Sequence, residues 1–363
     1  MSEINTQFHG SDLEKIEEIY GIKKEDIINF AANVNPLGVS PKLRKSLADN
    51  IDVISTYPDR EYTSLRKCIS KYTNTKIDSV FVGNGSTELL SLIIQIKRPK
   101  KACIIGPTYS EYEREVALGG GSSRYFSLDY EGCFRLQIDE LSRFLTSDFD
   151  LLVICNPNNP TSTAIDISDM RKILDICKQR DILCLIDETY VEFASDINKI
   201  TSVSLTKYYN NLIVIRGISK FFAAPGLRLG YGICGNKDLL KEINSRKNPW
   251  TINSLAAIAG EIMFTDTQYI NDTRTLIENE RQRIYKILSK SKNLKVYPPT
   301  ANFILIRILK HGLTSTEVFN QALKNGFLIR DCLSFPFLDD RFVRFCFMDP
   351  ESNTKLVEFL LEL

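Results

Sequence analysis

The runs Leu151-Leu152-Val153-Ile154-Cys155 and Ile182-Leu183-Cys184-Leu185-Ile186 carry no charged or hydrogen-bonding side chain beyond a thiol. No other feature constrains the fold so strongly. A strand with one wet face alternates apolar and polar residues, whereas a strand apolar throughout is covered on both faces. Related short runs recur at 80–82, 102–105, 124–128, 212–216 and 229–233, with helical patterns such as 86–96 and 167–180 between them. This alternation predicts an α/β domain whose mostly parallel seven-stranded sheet lies between helices. Ligands of such sheets gather at the carboxyl ends of the strands.

After about residue 253 the texture changes. A long helical stretch, 254–289, leads into strand candidates at 294–296, 303–307, 327–330 and 343–348. We read residues 1–40 as an N-terminal arm packing with the smaller domain and ending in the turn-rich Asn33-Val34-Asn35-Pro36-Leu37-Gly38. Residues 41–253 form a large domain, and 254–363 a smaller α+β domain whose long helix bridges the two. A length of 363 residues suits two domains.

The formal net charge is +1, so nothing favours a nucleic acid or an anionic membrane as partner. No apolar run is long enough for a membrane span, and the polar N-terminus has no secretory h-region, so a cytoplasmic protein is expected. The nine cysteines are dispersed without a CxxC pair, which suits reduced core residues. With only two histidines, no metal site is expected.

The run Ser219-Lys220-Phe221-Phe222-Ala223-Ala224-Pro225-Gly226-Leu227-Arg228-Leu229-Gly230 places a lysine and an arginine in small, apolar company. Burial lowers a lysine pKa, and a neutral amine condenses with an aldehyde. The guanidinium fork suits a phosphate. Aldehyde and phosphate on one molecule point to pyridoxal phosphate, although the same spacing also occurs on solvated helix faces. Asp187, ending an apolar strand, is either a helix N-cap or the partner of a buried cation such as a protonated pyridine nitrogen. Tyr190 would then reach the ring's phenolic oxygen. Gly83-Asn84-Gly85-Ser86-Thr87-Glu88 follows a strand and opens a helix, so Gly85, Ser86 and Thr87 make either a phosphate cradle or a plain capped turn. The loop Cys155-Asn156-Pro157-Asn158-Asn159-Pro160-Thr161-Ser162 directs amides at one spot. Tyr109 stacks on a flat ring or serves as filler.

Together these residues resemble the fold-type I pyridoxal-phosphate enzymes of the class I/II aminotransferase group, over essentially the whole chain. SKFFAAPGLRLGYGI resembles the lysine motif, NPNNPTS the asparagine-proline loop, DETYVEF the aspartate-tyrosine strand end, GNGSTELL the phosphate loop and YPDREYTSLR the segment lent by a neighbouring subunit. The resemblance implies that Lys220 forms the Schiff base and later shuttles protons, and that Asp187 pairs with the pyridine nitrogen. It implies that Tyr190 and Asn159 contact the phenolic oxygen and that Tyr109 stacks on the ring. Ser86, Thr87, Ser219 and Arg228 would hold the phosphate, with Tyr57 reaching across from the other subunit of a homodimer. Relatives often carry Ser or Thr where this chain has Gly217, which leaves the role of Ser219 open.

Two subfamilies resemble the chain most: threonine-phosphate decarboxylases of the cobalamin pathway and histidinol-phosphate aminotransferases. His9 and Gly10, NFAANVNPLG, NPWTINSLAAIAGE and FLIRDCLSFPFLDDRFVRF favour the decarboxylases. The implied substrate is a small phosphorylated amino acid, bound by Arg330, Arg344, His9, Asn33 and Asn159. The alternatives are an aminotransferase using 2-oxoglutarate and a non-catalytic binding or regulatory protein. The second has no spare basic segment to support it. His311 reads as a solvated loop residue.

Overall fold

The computed structural model describes residues 12–363. Its strands are β1 (Ile28–Asn29), β2 (Val80–Gly83), β3 (Lys101–Gly106), β4 (Ser122–Ser127), β5 (Leu151–Cys155), β6 (Leu183–Asp187), β7 (Leu212–Gly217) and β8 (Gly230–Cys234). Five more follow: β9 (Leu294–Val296), β10 (Phe303–Ile308), β11 (Phe327–Leu328), β12 (Arg330–Asp331) and β13 (Phe342–Cys346).

A seven-stranded sheet has the order β2-β8-β7-β6-β5-β3-β4. Its pairs are parallel from β4 through β7, and β8 alone is reversed, antiparallel to both β7 and β2. Burial on both faces explains the apolar runs: Leu152 and Ile154 join the larger core, while Leu151, Val153 and Cys155 join a second core on the opposite face. The direction of β8 matters for the site. The carboxyl ends of β2, β3, β5, β6 and β7 meet the amino end of β8 along one sheet edge, so the residues just before Gly230 are delivered to the same place.

The expected helix over 254–289 is instead two, Ser254–Met263 and Thr267–Leu288. Asp266 caps the second of these: its carboxylate accepts the Tyr269 N–H at 3.4 Å and the Ser40 hydroxyl at 2.9 Å. The expected strand over 327–330 also divides. β11 pairs in parallel with β1 of the arm, and after Ile329 the chain changes partner, so that β12 pairs with β13. β13, β10 and β9 complete a four-stranded antiparallel sheet with β12. The arm is tied into this region by the Phe30 N–H, which donates to Leu328, and the Cys346 N–H, which donates to the Phe30 carbonyl.

All nine cysteines are free thiols. Among the described residues no helix is long and apolar enough to cross a membrane, and no cluster of metal-ligating side chains occurs.

Candidate active site

A cavity of about 600 Å³ opens at the shared sheet edge, and Lys220, Asp187, Tyr190, Asn159 and Tyr109 all line it. Lys220 follows β7 on a loop and is half-buried. Its Nζ donates to the Ala32 carbonyl at 2.6 Å. Burial, and then the Arg344 and Arg228 guanidinium groups, pull its pKa down to about 8. The neutral form that nucleophilic attack requires is therefore more populated near neutral pH than in an ordinary lysine.

Asp187 ends β6 and is 8% exposed. The Thr189 N–H and hydroxyl donate to its Oδ1 at 2.9 and 2.6 Å, and the Tyr112 hydroxyl donates to Oδ2 at 2.8 Å. Burial raises its pKa, opposed by those hydrogen bonds. No α-helix begins after Asp187, so the helix-cap alternative fails; a turn leads into the short 3-10 segment Val191–Phe193. A buried, oriented carboxylate of this kind calls for a cation in the cavity.

Gly85, Ser86, Thr87, Ser219 and Arg228 line one end of the cavity. Gly85 has φ +86° and precedes the helix Ser86–Lys97, whose first N–H groups are free of intrahelical partners. A Cβ at Gly85 would stand 2.5 Å from the Arg228 Nη2, and one at Gly230 would stand 2.4 Å from the Gly85 carbonyl carbon. Bare backbone is what allows this cradle to close. A Cβ at Gly217 would lie 3.2 Å from Ser86 Oγ and 3.7 Å from Ser219 Oγ. The missing side chain thus leaves room for both hydroxyls, and Ser219 stays in the cavity wall.

Asn33, Arg330 and Arg344 line the other end. Arg344 donates from Nη1 to Asn159 Oδ1 and from Nη2 to the Ala31 carbonyl. Its buried Nε has no partner among the described residues, and neither does Asn33 Oδ1. Arg330 donates to Ser334 Oγ at 2.8 Å and lies over the Phe335 ring. The Asn33 amide reaches the Tyr190 hydroxyl at 3.4 Å.

Tyr57 stands outside the cavity, 80% exposed and packed on Trp250 at 4.9 Å. His9 lies outside the described residues. His311 is exposed. Sequence reasoning missed Tyr112 and Thr189, which orient Asp187, and Ser334, which holds Arg330. Tyr112 lies three residues after Tyr109 at the start of the helix Glu111–Leu118, a spacing too common to single it out. The Ala32 contact is a backbone carbonyl and leaves no residue-type signal.

An amine of lowered pKa, a buried carboxylate that needs a cation and a glycine-backed cradle of hydroxyls and N–H groups fit the three ends of pyridoxal phosphate. Residues 25–360 match the family model "Aminotransferase class I and II". A threonine-phosphate decarboxylase of Salmonella typhimurium is 31% identical over 97% of this chain and 95% of its own length. A histidinol-phosphate aminotransferase of Methanosphaera stadtmanae is 30% identical over 100% of this chain and 97% of its own. Among solved structures, the histidinol-phosphate aminotransferase from Clostridium acetobutylicum superposes with a TM-score of 0.85 at 34% identity, covering 91% of this chain and 97% of that one. The L-threonine-O-3-phosphate decarboxylase from Porphyromonas gingivalis gives 0.80 at 25% identity, covering 92% and 98%.

Proposed function

This chain belongs to the class I and II aminotransferase family and depends on pyridoxal phosphate, and from that premise we propose that it decarboxylates L-threonine O-3-phosphate to (R)-1-amino-2-propanol O-2-phosphate and carbon dioxide. The observation that carries this reading is the pairing of Arg330 with Arg344 across β12 and β13, both in the cavity wall. O-phosphothreonine carries a carboxylate and a phosphate on adjacent carbons, and two guanidinium forks side by side suit that pair of anions. Likeness to the decarboxylases of Salmonella typhimurium and Porphyromonas gingivalis supports the same choice, as does the cobalamin-pathway subfamily that the sequence motifs resemble.

When bound, pyridoxal phosphate supplies an aldehyde for the substrate amine and a ring that accepts the electron pair of a broken Cα bond. In this reading Lys220 holds the cofactor and moves a proton at Nζ. Asp187, oriented by Tyr112 and Thr189, keeps the ring nitrogen protonated. Gly85, Ser86, Thr87, Ser219 and Arg228 would hold the cofactor phosphate, Tyr109 would pack on the ring, and Asn159 and Tyr190 would serve its phenolic oxygen. Arg330 and Arg344, with Asn33 and His9, bind the substrate anions. Their placement would orient the substrate carboxylate, and so would set which bond at its Cα breaks.

A homodimer belongs to the same proposal. Tyr57, Ile54 and Ile51 are 80%, 66% and 50% exposed, an apolar surface suited to a second copy. So does the division into a large domain, 41–253, and a smaller one, 254–363, with the arm on the latter.

A second reading, histidinol-phosphate aminotransferase, is favoured by the 34% identity to the Clostridium acetobutylicum enzyme. Histidinol phosphate has no carboxylate, so one arginine would then serve the oxo-acid partner. Purified, cofactor-loaded protein given O-phosphothreonine without an oxo-acid separates the two. Sustained carbon dioxide release is expected; turnover only of histidinol phosphate with 2-oxoglutarate would overturn the decarboxylase.

A further inference from the structure

The turn Asn33-Val34-Asn35-Pro36-Leu37-Gly38 enters the chemistry above only through Asn33, yet Asn35 is 2% exposed and reaches across to the lysine loop. Its backbone N–H donates to the Lys220 carbonyl at 3.0 Å. Its Nδ2 lies 2.8 Å from the Phe221 carbonyl, 2.9 Å from the Tyr269 hydroxyl and 2.8 Å from Thr273 Oγ1. The Tyr269 hydroxyl donates onward to the Gly38 carbonyl at 2.7 Å, and Asn35 Oδ1 accepts the Leu37 N–H at 3.0 Å, closing the turn. Three residues earlier, the Ala32 carbonyl accepts from Lys220 Nζ at 2.6 Å. One short stretch of the arm therefore grips Lys220 at both ends, main chain and amine.

Lys220 needs such a grip. It lies beyond the end of β7, where no strand ladder holds its peptide groups. Its flexible four-carbon stem places the amine reproducibly only if the backbone beneath it is fixed. An error of about 1 Å in a reacting group costs on the order of a hundredfold in rate. We propose that Asn35 is a positioning residue: it fixes the Lys220–Phe221 backbone so that the Lys220 amine stands at the Ala32 carbonyl inside the cavity. The inference rests on the reading of Lys220 as the residue that condenses with the cofactor. The groups that act on that amine are the Arg344 guanidinium and the Cys346 thiol, both on β13, and the Arg228 guanidinium just before β8. A displaced nitrogen, free or condensed with the cofactor, would change its distance from all three, and so its proton affinity.

The test uses the full-length, pyridoxal-phosphate-loaded protein. Its visible absorbance is titrated with pH, and borohydride trapping followed by peptide mass identifies the modified lysine. Asn35→Ala is expected to shift the absorbance midpoint by about half a pH unit or more, a threefold change in the protonation equilibrium. Asn35→Ser, which keeps a short donor, recovers part of the shift. Thr273→Val removes a partner of the same amide on the side away from Lys220, and it keeps the parent midpoint. Melting temperatures are recorded for all three variants. A fall in melting temperature with an unmoved midpoint in both Asn35 variants would reduce Asn35 to a structural residue and overturn the proposal. If Asn35→Ala does not fold, the comparison of Asn35→Ser with Thr273→Val decides. Absence of trapped Lys220 in the parent would instead bring down the cofactor reading of that lysine, and this proposal with it.

Discussion

Arg330 and Arg344 stand directly opposite each other on the antiparallel strands β12 and β13, and both line the same cavity. Like charges in that relation destabilise a sheet. Burial, and then Arg344, lower the Arg330 pKa. Protein acceptors hold three of the guanidinium nitrogens, through Ser334, Asn159 and Ala31, while Arg344 Nε is left without a partner among the described residues. The arrangement is electrostatically unfinished until an anion arrives.

Arg330→Met should therefore stabilise the ligand-free protein slightly, by about 0.2–1 kcal/mol, while weakening substrate binding. Denaturant unfolding checks the first part. Loss of the melting-temperature rise expected when O-phosphothreonine is added to the parent checks the second. An Arg330→Met protein that is less stable and still responds to the ligand would contradict this account.

Tyr112→Phe removes the hydroxyl that donates to Asp187 Oδ2 and leaves the ring packing intact. Loss of that donor raises the Asp187 pKa further and weakens its hold on a cationic ring nitrogen. The expected cost is about 1–1.5 kcal/mol, close to a tenfold loss of pyridoxal-phosphate affinity by equilibrium dialysis. Unchanged affinity would show that Thr189 alone orients the carboxylate.

Gly230→Ala would set a methyl group 2.4 Å from the Gly85 carbonyl carbon and 2.5 Å from the Ser86 nitrogen. Both are backbone atoms, so the cradle itself must shift. Overpacking of this kind costs about 1–3 kcal/mol. We expect weaker binding of pyridoxal phosphate with a smaller effect on binding of pyridoxal, which lacks the phosphate. Equal losses for both ligands would argue against the cradle.

The pH dependence of the cofactor-free protein follows from Lys220. Its folded pKa of about 8 lies below the usual 10.5. Below about pH 8 both folded and unfolded chains carry the proton, and the full cost of the buried ammonium is present. Between about 8 and 10.5 the unfolded chain binds more protons, so this group's contribution to stability rises with pH. Lys220→Met should accordingly stabilise the cofactor-free protein at neutral pH, with the gain shrinking as pH climbs through that window. A gain independent of pH would mean that the amine is not desolvated.

The apolar runs at β5 and β6, the glycine-rich turn after β2 and the lysine run before β8 were legible in the chain because each is a local pattern: burial on two faces, free N–H groups at a helix start, a cation among apolar neighbours. They determined the layered sheet and the gathering of its strand ends, and they singled out Lys220, Asp187 and Arg228, which the fold brings to one cavity. Other features depend on residues far apart in sequence. The hydrogen bond from Ser40 to Asp266, 226 residues away, accompanies the division of the expected long helix. The change of partner at Ile329 sets Arg330 against Arg344, and the fold alone brings Ala32 to the Lys220 amine and Tyr112 to Asp187. Periodicity records which side of an element is buried, but register and long-range hydrogen bonding are settled only when the elements pack together.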